Sequence, residues 1–243
     1  MIILRFLHTI YTIFLFVVSV ILLFPFFLIL GLNPKWHHYA YRLDYLWAHV
    51  YFPLCFFNTT IQYLGERPPS GPVIYCANHF STMDIPSMAL LRKQACYVGK
   101  ESISKLPLFG YMFKTIHITV NRSSFRDRGL VFQKYKEALG QGKSLFIFPE
   151  GGINSLEIPT QSKYKDGAFK VAIELGIPIV PVSIPFNWQV LPDGDWLVKQ
   201  NKIKLIVHPP INTSNLDLSN LQELKVNVRD TIQASIDSEN GRS

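Results

Sequence analysis

His79 and Asp84 stand five positions apart in Asn78-His79-Phe80-Ser81-Thr82-Met83-Asp84, and as a pair they could perform general-base chemistry. An imidazole with an ordinary pKa of ~6.5 accepts a proton at neutral pH when a carboxylate fixes its tautomer and stabilises the resulting cation. The apolar run Val73-Ile74-Tyr75-Cys76-Ala77 before them reads as a short buried strand, and Pro86-Ser87-Met88-Ala89-Leu90-Leu91 after them as the opening of a helix. The pair is therefore expected in a connection at a strand's carboxyl end, where open α/β sheets place ligands. On one regular helix five positions would splay the side chains at ~100° per residue, whereas a turn leading into a first helical turn can bring them together. A structural reading of the same residues also exists. Asp84 before Ile85-Pro86 suits a helix N-cap, and a His at a strand end often serves only as a hydrogen-bonded scaffold residue.

A second candidate is Phe148-Pro149-Glu150-Gly151-Gly152, directly after the apolar segment Ser144 to Phe148. Pro149 ends the strand, Glu150 is a carboxylate at its tip, and the two glycines allow backbone N–H groups to approach a ligand closely. Lys100 and Arg122 close two further apolar runs, where a phosphate could be held by charge-assisted hydrogen bonds. Gly142-Lys143-Ser144 is no phosphate-binding P-loop, because Glu137 stands where its first glycine belongs and the segment precedes a strand. There is no Gly-x-Ser-x-Gly elbow to present a serine nucleophile. A His and Asp pair without an enzyme nucleophile suggests that the attacking hydroxyl comes with the substrate.

The elements that must hold these residues alternate between strand and helix after Asn58. Strands are expected at residues 60–64, 73–77, 95–99, 116–120, 144–148, 179–184 and 203–207, and helices at 86–92, 125–139, 164–175 and about 219–236. This rhythm implies an α/β fold with a mostly parallel central sheet flanked by helices. The chain divides into an anchoring segment at 1–58 and a catalytic domain at 59–243. From Phe6 to Pro34 no residue carries a formal charge. As a helix that stretch measures ~40 Å, enough to cross or embed in a bilayer core of ~30 Å. It is too long for a cleaved signal peptide and lacks a small-x-small cleavage site. Pro25 and Gly31 leave open, beside a single crossing, a kinked or re-entrant pair of helices. Residues 36–57 follow as an interfacial amphipathic helix whose Trp and Tyr sit at headgroup depth.

The net charge is +7, and the basic residues fall almost entirely behind the apolar stretch: Lys35, Arg42, Arg67, Arg92, Lys93 and Lys100, against Arg5 before it. That bias places the catalytic side in the cytoplasm, at the inner membrane if the source is bacterial, and suits anionic lipids and phosphate-bearing substrates. No nucleic-acid recognition signature accompanies the charge. Cys55, Cys76 and Cys96 lack metal-ligand spacing and read as reduced thiols, and the adjacent His37 and His38 would point about 100° apart on a helix. No metal and no tightly bound cofactor is expected.

Together these stretches resemble the 1-acyl-glycerol-3-phosphate acyltransferase family. Its His-x4-Asp block with a preceding Asn is matched by Asn78-His79 through Asp84. Its second block is similar to Gly110-Tyr111-Met112-Phe113 leading to Arg122, its Phe-Pro-Glu-Gly block stands at Phe148 to Gly151, and its Val-Pro-Val strand at Val180-Pro181-Val182. Lys165-Asp166-Gly167-Ala168 is similar to the family's Lys-x-Gly-Ala stretch. The resemblance implies that His79 deprotonates the free hydroxyl of a lysophospholipid as it attacks an acyl thioester, either acyl-CoA or acyl-carrier protein, with Asp84 orienting the ring. It further implies that Lys100 and Arg122 hold the acceptor's phosphate and that Glu150 and Gly151 line its glycerol end. The chain departs from the family after Gly151: where Thr-Arg-Ser is usual it has Gly152-Ile153-Asn154. Either Lys163 or Lys165 compensates for the missing cation, or the acceptor is a phosphate-free lysolipid such as a lyso amino-acid lipid. A non-catalytic lipid-binding scaffold is the alternative outside the enzyme class.

Overall fold

The computed structural model describes residues 2–91, 94–120 and 125–242, without the side chains of 125–128. The uncharged stretch forms one helix, α1 (Ile2–Gly31), which contains Pro25 and whose most apolar window has a mean hydropathy of 3.1. By length and composition it can cross a membrane. Ile3, Leu7, Ile10, Phe14, Val17, Ile21 and Ile29 are all exposed on it, while Thr9 and Thr12 are buried.

The reason for that inverted pattern is the next helix. After a turn at Pro34–Trp36, capped by Asn33 Oδ1 accepting from Lys35 N at 3.0 Å, α2 (His37–Leu54) runs back along α1. Trp47 Nε1 donates to Ser19 Oγ at 2.9 Å, Tyr51 hydroxyl to Thr12 O at 3.1 Å and Tyr11 hydroxyl to Leu54 O at 3.2 Å. These hydrogen bonds join the two helices, while much of the apolar surface of α1 stays exposed. Pro25 is absorbed within α1, and the chain reverses after Gly31 through the turn at Pro34–Trp36 into α2. Gly31 is required there because a Cβ would lie 2.6 Å from Thr115 Cγ2.

Seven strands are found among the described residues: β1 (Thr59–Tyr63), β2 (Ile74–Ala77), β3 (Ala95–Lys100), β4 (Ile118–Val120), β5 (Ser144–Ile147), β6 (Ile179–Ser183) and β7 (Ile203–Val207). Their order is β1-β7-β6-β2-β5-β3-β4. The five from β6 to β4 are mutually parallel, while β7 pairs antiparallel with β6 and carries β1 parallel to itself. The sheet is therefore mostly parallel, with its last two strands reversed.

Both faces are covered. Tyr75, Tyr97, Phe146, Val180 and Val182 pack toward α2, α3 (Asp84–Met88) and α4 (Phe109–Ile116). The alternate residues Ile74, Cys76, Cys96, Leu145 and Ile179 face α5 (Phe125–Gly140), α6 (Gly167–Leu175) and, beyond the short α7 (Asn187–Val190), α8 (Leu221–Glu239). This explains why β2, β5 and β6 are buried at every position and read as unbroken apolar runs.

Helix α4 was absent from the sequence reading. Pro107 and Gly110 argue against a helix there, yet Gly110 is what lets α4 seat on the preceding 3-10 turn Glu101–Lys105: a Cβ would fall 2.4 Å from Ser104 O. Ile116 accordingly ends a helix instead of opening β4.

Candidate active site

The site is built where β2 and β5 end. β2 stops at Ala77, and Asn78 ties its end to β6: Asn78 Nδ2 donates to Ile184 O at 3.0 Å and Asn78 Oδ1 accepts from Ile184 N at 2.7 Å. The chain then turns tightly enough for Asp84 to reach back to it. Asp84 Oδ2 accepts from His79 Nδ1 at 3.1 Å and from the backbone N–H groups of Phe80 and Ser81, each at 2.8 Å. As an N-cap Asp84 would accept from the helix that follows. Instead it opens α3 and bonds to the turn that precedes it. Three donors converge on this one oxygen of a fully buried side chain and fix its orientation toward the imidazole, while Oδ1 has no partner among the described residues.

His79 is fixed on three sides. With Nδ1 committed to Asp84, Nε2 carries the lone pair that can take a proton. Its ring stacks on Phe148, centroids 4.2 Å apart at an interplanar angle of 21°. Its backbone N–H donates to Glu150 Oε1 at 2.8 Å. Glu150 Oε2 in turn accepts from the Ser162 backbone at 2.9 Å and hydroxyl at 2.8 Å. Burial raises the Glu150 pKa above the usual carboxylate range, and the hydrogen bonds from Ser162 and His79 oppose that rise. Both oxygens of Glu150 are thus engaged inside the protein, and its carboxylate braces the His79 turn.

Gly151 follows at φ +79°, and a Cβ there would lie 2.5 Å from Lys165 Nζ. The left-handed φ favours glycine there, and any Cβ would push the Lys165 side chain off this turn. Lys165 N also donates to Pro149 O at 2.9 Å, so an exposed ammonium is held beside the β5 end. Lys100 is the exposed last residue of β3, in register with Val120 at the end of β4. Its strand lies two steps from β2 across β5, about 10 Å at the usual strand spacing. Arg122 lies outside the described residues.

Sequence reasoning did not find Ser162, because it bonds to Glu150 from twelve positions further along an irregular segment. That segment is pinned to α8, with Gln161 Nε2 donating to Arg229 O at 2.9 Å and Lys225 Nζ pairing with Asp166 at 2.8 Å.

Residues 59–185 match the family model described as Acyltransferase. The chain belongs to the acyltransferase family. It is 29% identical to a chloroplastic 1-acyl-sn-glycerol-3-phosphate acyltransferase of Brassica napus, over 76% of this chain and 53% of that one. It is also 29% identical to a lyso-ornithine lipid O-acyltransferase of Pseudomonas aeruginosa, over 55% of this chain and 50% of that one. The chain spans about half the length of these curated relatives. Its fold is that of a crystal structure of the 1-acyl-sn-glycerophosphate acyltransferase of Thermotoga maritima, with a TM-score of 0.83, 22% identity and coverage of 99% and 98% of the two chains. In this acyltransferase the four motif segments read from the sequence all fall within the described fold, save Arg122.

Proposed function

We propose that the chain is a membrane-embedded O-acyltransferase that moves an acyl chain from an acyl thioester to the free hydroxyl of 1-acyl-glycerol-3-phosphate, giving phosphatidic acid. The observation that carries this reading is the His79–Asp84 contact at 3.1 Å beside two serines whose hydroxyls are already committed. Ser81 Oγ donates to Leu191 O and Ser162 Oγ to Glu150, so neither is poised to attack. The nucleophile is then the acceptor's hydroxyl. His79 Nε2 removes its proton as the oxygen bonds to the thioester carbonyl carbon, and Asp84 stabilises the imidazolium. Collapse breaks the C–S bond, and the imidazolium proton passes to the departing thiolate, leaving ester and free thiol. This sequence needs neither a metal nor a resident cofactor; acyl-CoA or acyl-carrier protein serves as co-substrate.

Glu150 acts by holding the His79 turn, while Gly151 leaves room for the acceptor's glycerol end. Lys165 offers the cation that Ile153 does not, with Lys100 and Arg122 as further partners for the phosphate. The names of the Brassica napus relative and of the Thermotoga maritima protein support this acceptor. The apolar outer surface of α1 supports insertion into a bilayer, with the catalytic domain at 59–243 on the cytoplasmic face.

The missing arginine favours a second reading, acylation of a phosphate-free lysolipid, and the lyso-ornithine relative supports it. Purified protein in nanodiscs, given both acceptor classes and a labelled acyl thioester with products read by mass spectrometry, separates the two. We expect phosphatidic acid from the wild type and none from His79→Ala. Lys165→Met should raise the KM of the phosphate acceptor by about tenfold, the loss of one charge-assisted contact. Product formed only from lyso-ornithine lipid would overturn the first reading.

A further inference from the structure

The sheet's other edge carries a polar cavity of about 260 Å³ that the proposed reaction does not use. Cys96 and Ile118 line it, and these residues lie at the amino ends of β3 and β4. Lys100, at the carboxyl end of β3, is about 13 Å away along the strand. The walls bring together distant parts of the chain: His37 opens α2, Lys114 lies near the end of α4, Lys134 and Glu137 are on α5, and Lys143 immediately precedes β5.

Three lysines and one glutamate therefore line the same cavity. Lys134 Nζ spends one donor on Thr119 O at 3.1 Å and keeps two. Neither Lys143 nor Lys114 forms an ion pair among the described residues, and Lys114 Nζ lies 5.8 Å from the centre of the Tyr111 ring. The second observation is His37, only 8% exposed, with no hydrogen-bond partner on either ring nitrogen among the described residues. An unsatisfied buried polar group costs roughly 1–3 kcal/mol, so a cavity-lining imidazole in this condition marks a place for a ligand atom. Its pKa is lowered by burial and by the nearby charge of Lys143, and a bound anion would offset that charge.

We propose that this cavity binds a phosphate group, presented as the free ion or as the headgroup of an anionic lipid. Several convergent N–H donors with excess positive charge suit a compact anion with three or four acceptor oxygens. The volume accommodates that anion with part of its hydration shell, given about 30 Å³ per water. Because His37 belongs to the apolar hairpin and the lysines to the catalytic domain, a bound phosphate would tie the two together. The inference stands independently of the acyl-transfer reading.

The test is lysine footprinting of the full chain in phosphatidylcholine nanodiscs, with an amine-reactive reagent and peptide-resolved mass spectrometry at matched ionic strength. Inorganic phosphate is compared with chloride, and nanodiscs containing phosphatidic acid with neutral ones. At ~10 times the half-protecting concentration, Lys143 should react about tenfold more slowly. His37→Leu and the exposed-site variant Lys134→Gln should each raise the half-protecting concentration severalfold. Lys100 and Lys165 are read in the same digest, which separates any anion at the His79 edge. Protection by inorganic phosphate supports the proposal with the free ion as ligand, and protection only by phosphatidic acid supports it with a headgroup as ligand. Equal protection by chloride, no protection of Lys143 in any arm, or wild-type protection in both variants overturns it.

Discussion

Among the described residues two His–Asp pairs stand at opposite edges of the sheet, and their differences show what makes such a pair useful. At the carboxyl edge His79 and Asp84 meet at 3.1 Å, and the carboxylate gathers two further backbone donors. Toward the amino edge His117 Nε2 stands 3.7 Å from Asp44 Oδ2, which has no hydrogen-bond partner among the described residues. Burial without donors pushes the Asp44 carboxyl up to about 8. Burial, with the charges of His37 and Lys143 adding to it, drives the His117 imidazole down to about 3. Both are neutral at pH 7. His117 Nδ1 also accepts from Tyr97 N at 3.4 Å, so its lone pair is spent where that of His79 Nε2 is open. The difference lies in the local donors: the turn from Asn78 to Asp84 directs two backbone N–H groups onto the oxygen that meets the imidazole, and α2 offers none to Asp44 Oδ2.

The sharpest way to break this contrast is His79→Ala, which should lower acyl transfer by about 10³-fold, the scale of a lost general base. Asp84→Asn should cost about 10²–10⁴-fold by offering an amide where a carboxylate must stabilise the imidazolium, whereas Asp44→Asn should stay within about twofold. Comparable losses in the two Asn variants would erase the distinction. A smaller effect is expected in stability. The folded Asp44 pKa of about 8 lies above the ordinary 3.8, so its neutral form contributes fully below pH 3.8 and that contribution is lost as pH rises through 8. Asp44→Asn should therefore gain on the wild type across this window in denaturant titrations, most of all at its upper end. A pH-independent difference would show that Asp44 is ionised throughout. Smallest is Ser162→Ala, which removes one of two donors to Glu150 Oε2. Activity should fall about threefold to tenfold, and the acid limb of the pH–rate profile should move to higher pH because Glu150 then protonates more readily. An unmoved limb would dismiss Ser162 as a positioning residue.

The sequence showed the central strands as short apolar runs bounded by polar or turn residues and the half-exposed β1, Thr59–Tyr63, by its strand-forming residue types, and it showed His79 and Asp84 because their spacing fits a turn. Strand direction was less legible. Nothing in Ile203–Val207 distinguishes a strand antiparallel to β6 from a parallel one, since apart from Lys204 it is as apolar and buried as the parallel strands. Helix α4 was hidden by Gly110, whose value lies in a contact with Ser104 that no local pattern records. The inward set of Glu150 was equally hidden, because its partner Ser162 is brought near by the docking of a loop on α8. The sequence marks which groups are chemically able, while long-range hydrogen bonds decide which way they face.

The reversal of β7 has a mechanical consequence. It sends the segment before that strand back to the edge where His79 lies, and there it meets the start of α1: Arg5 Nη2 donates to Leu197 O at 3.0 Å and Val198 N to Thr9 Oγ1 at 2.9 Å. The same segment holds Leu191 O against the Ser81 hydroxyl at 2.7 Å, inside the turn that aligns the base with its acid. The greasy helix is thus strapped to the reaction centre by a few links of chain. Cutting it away to obtain a soluble enzyme would slacken that strap as well as remove the mooring.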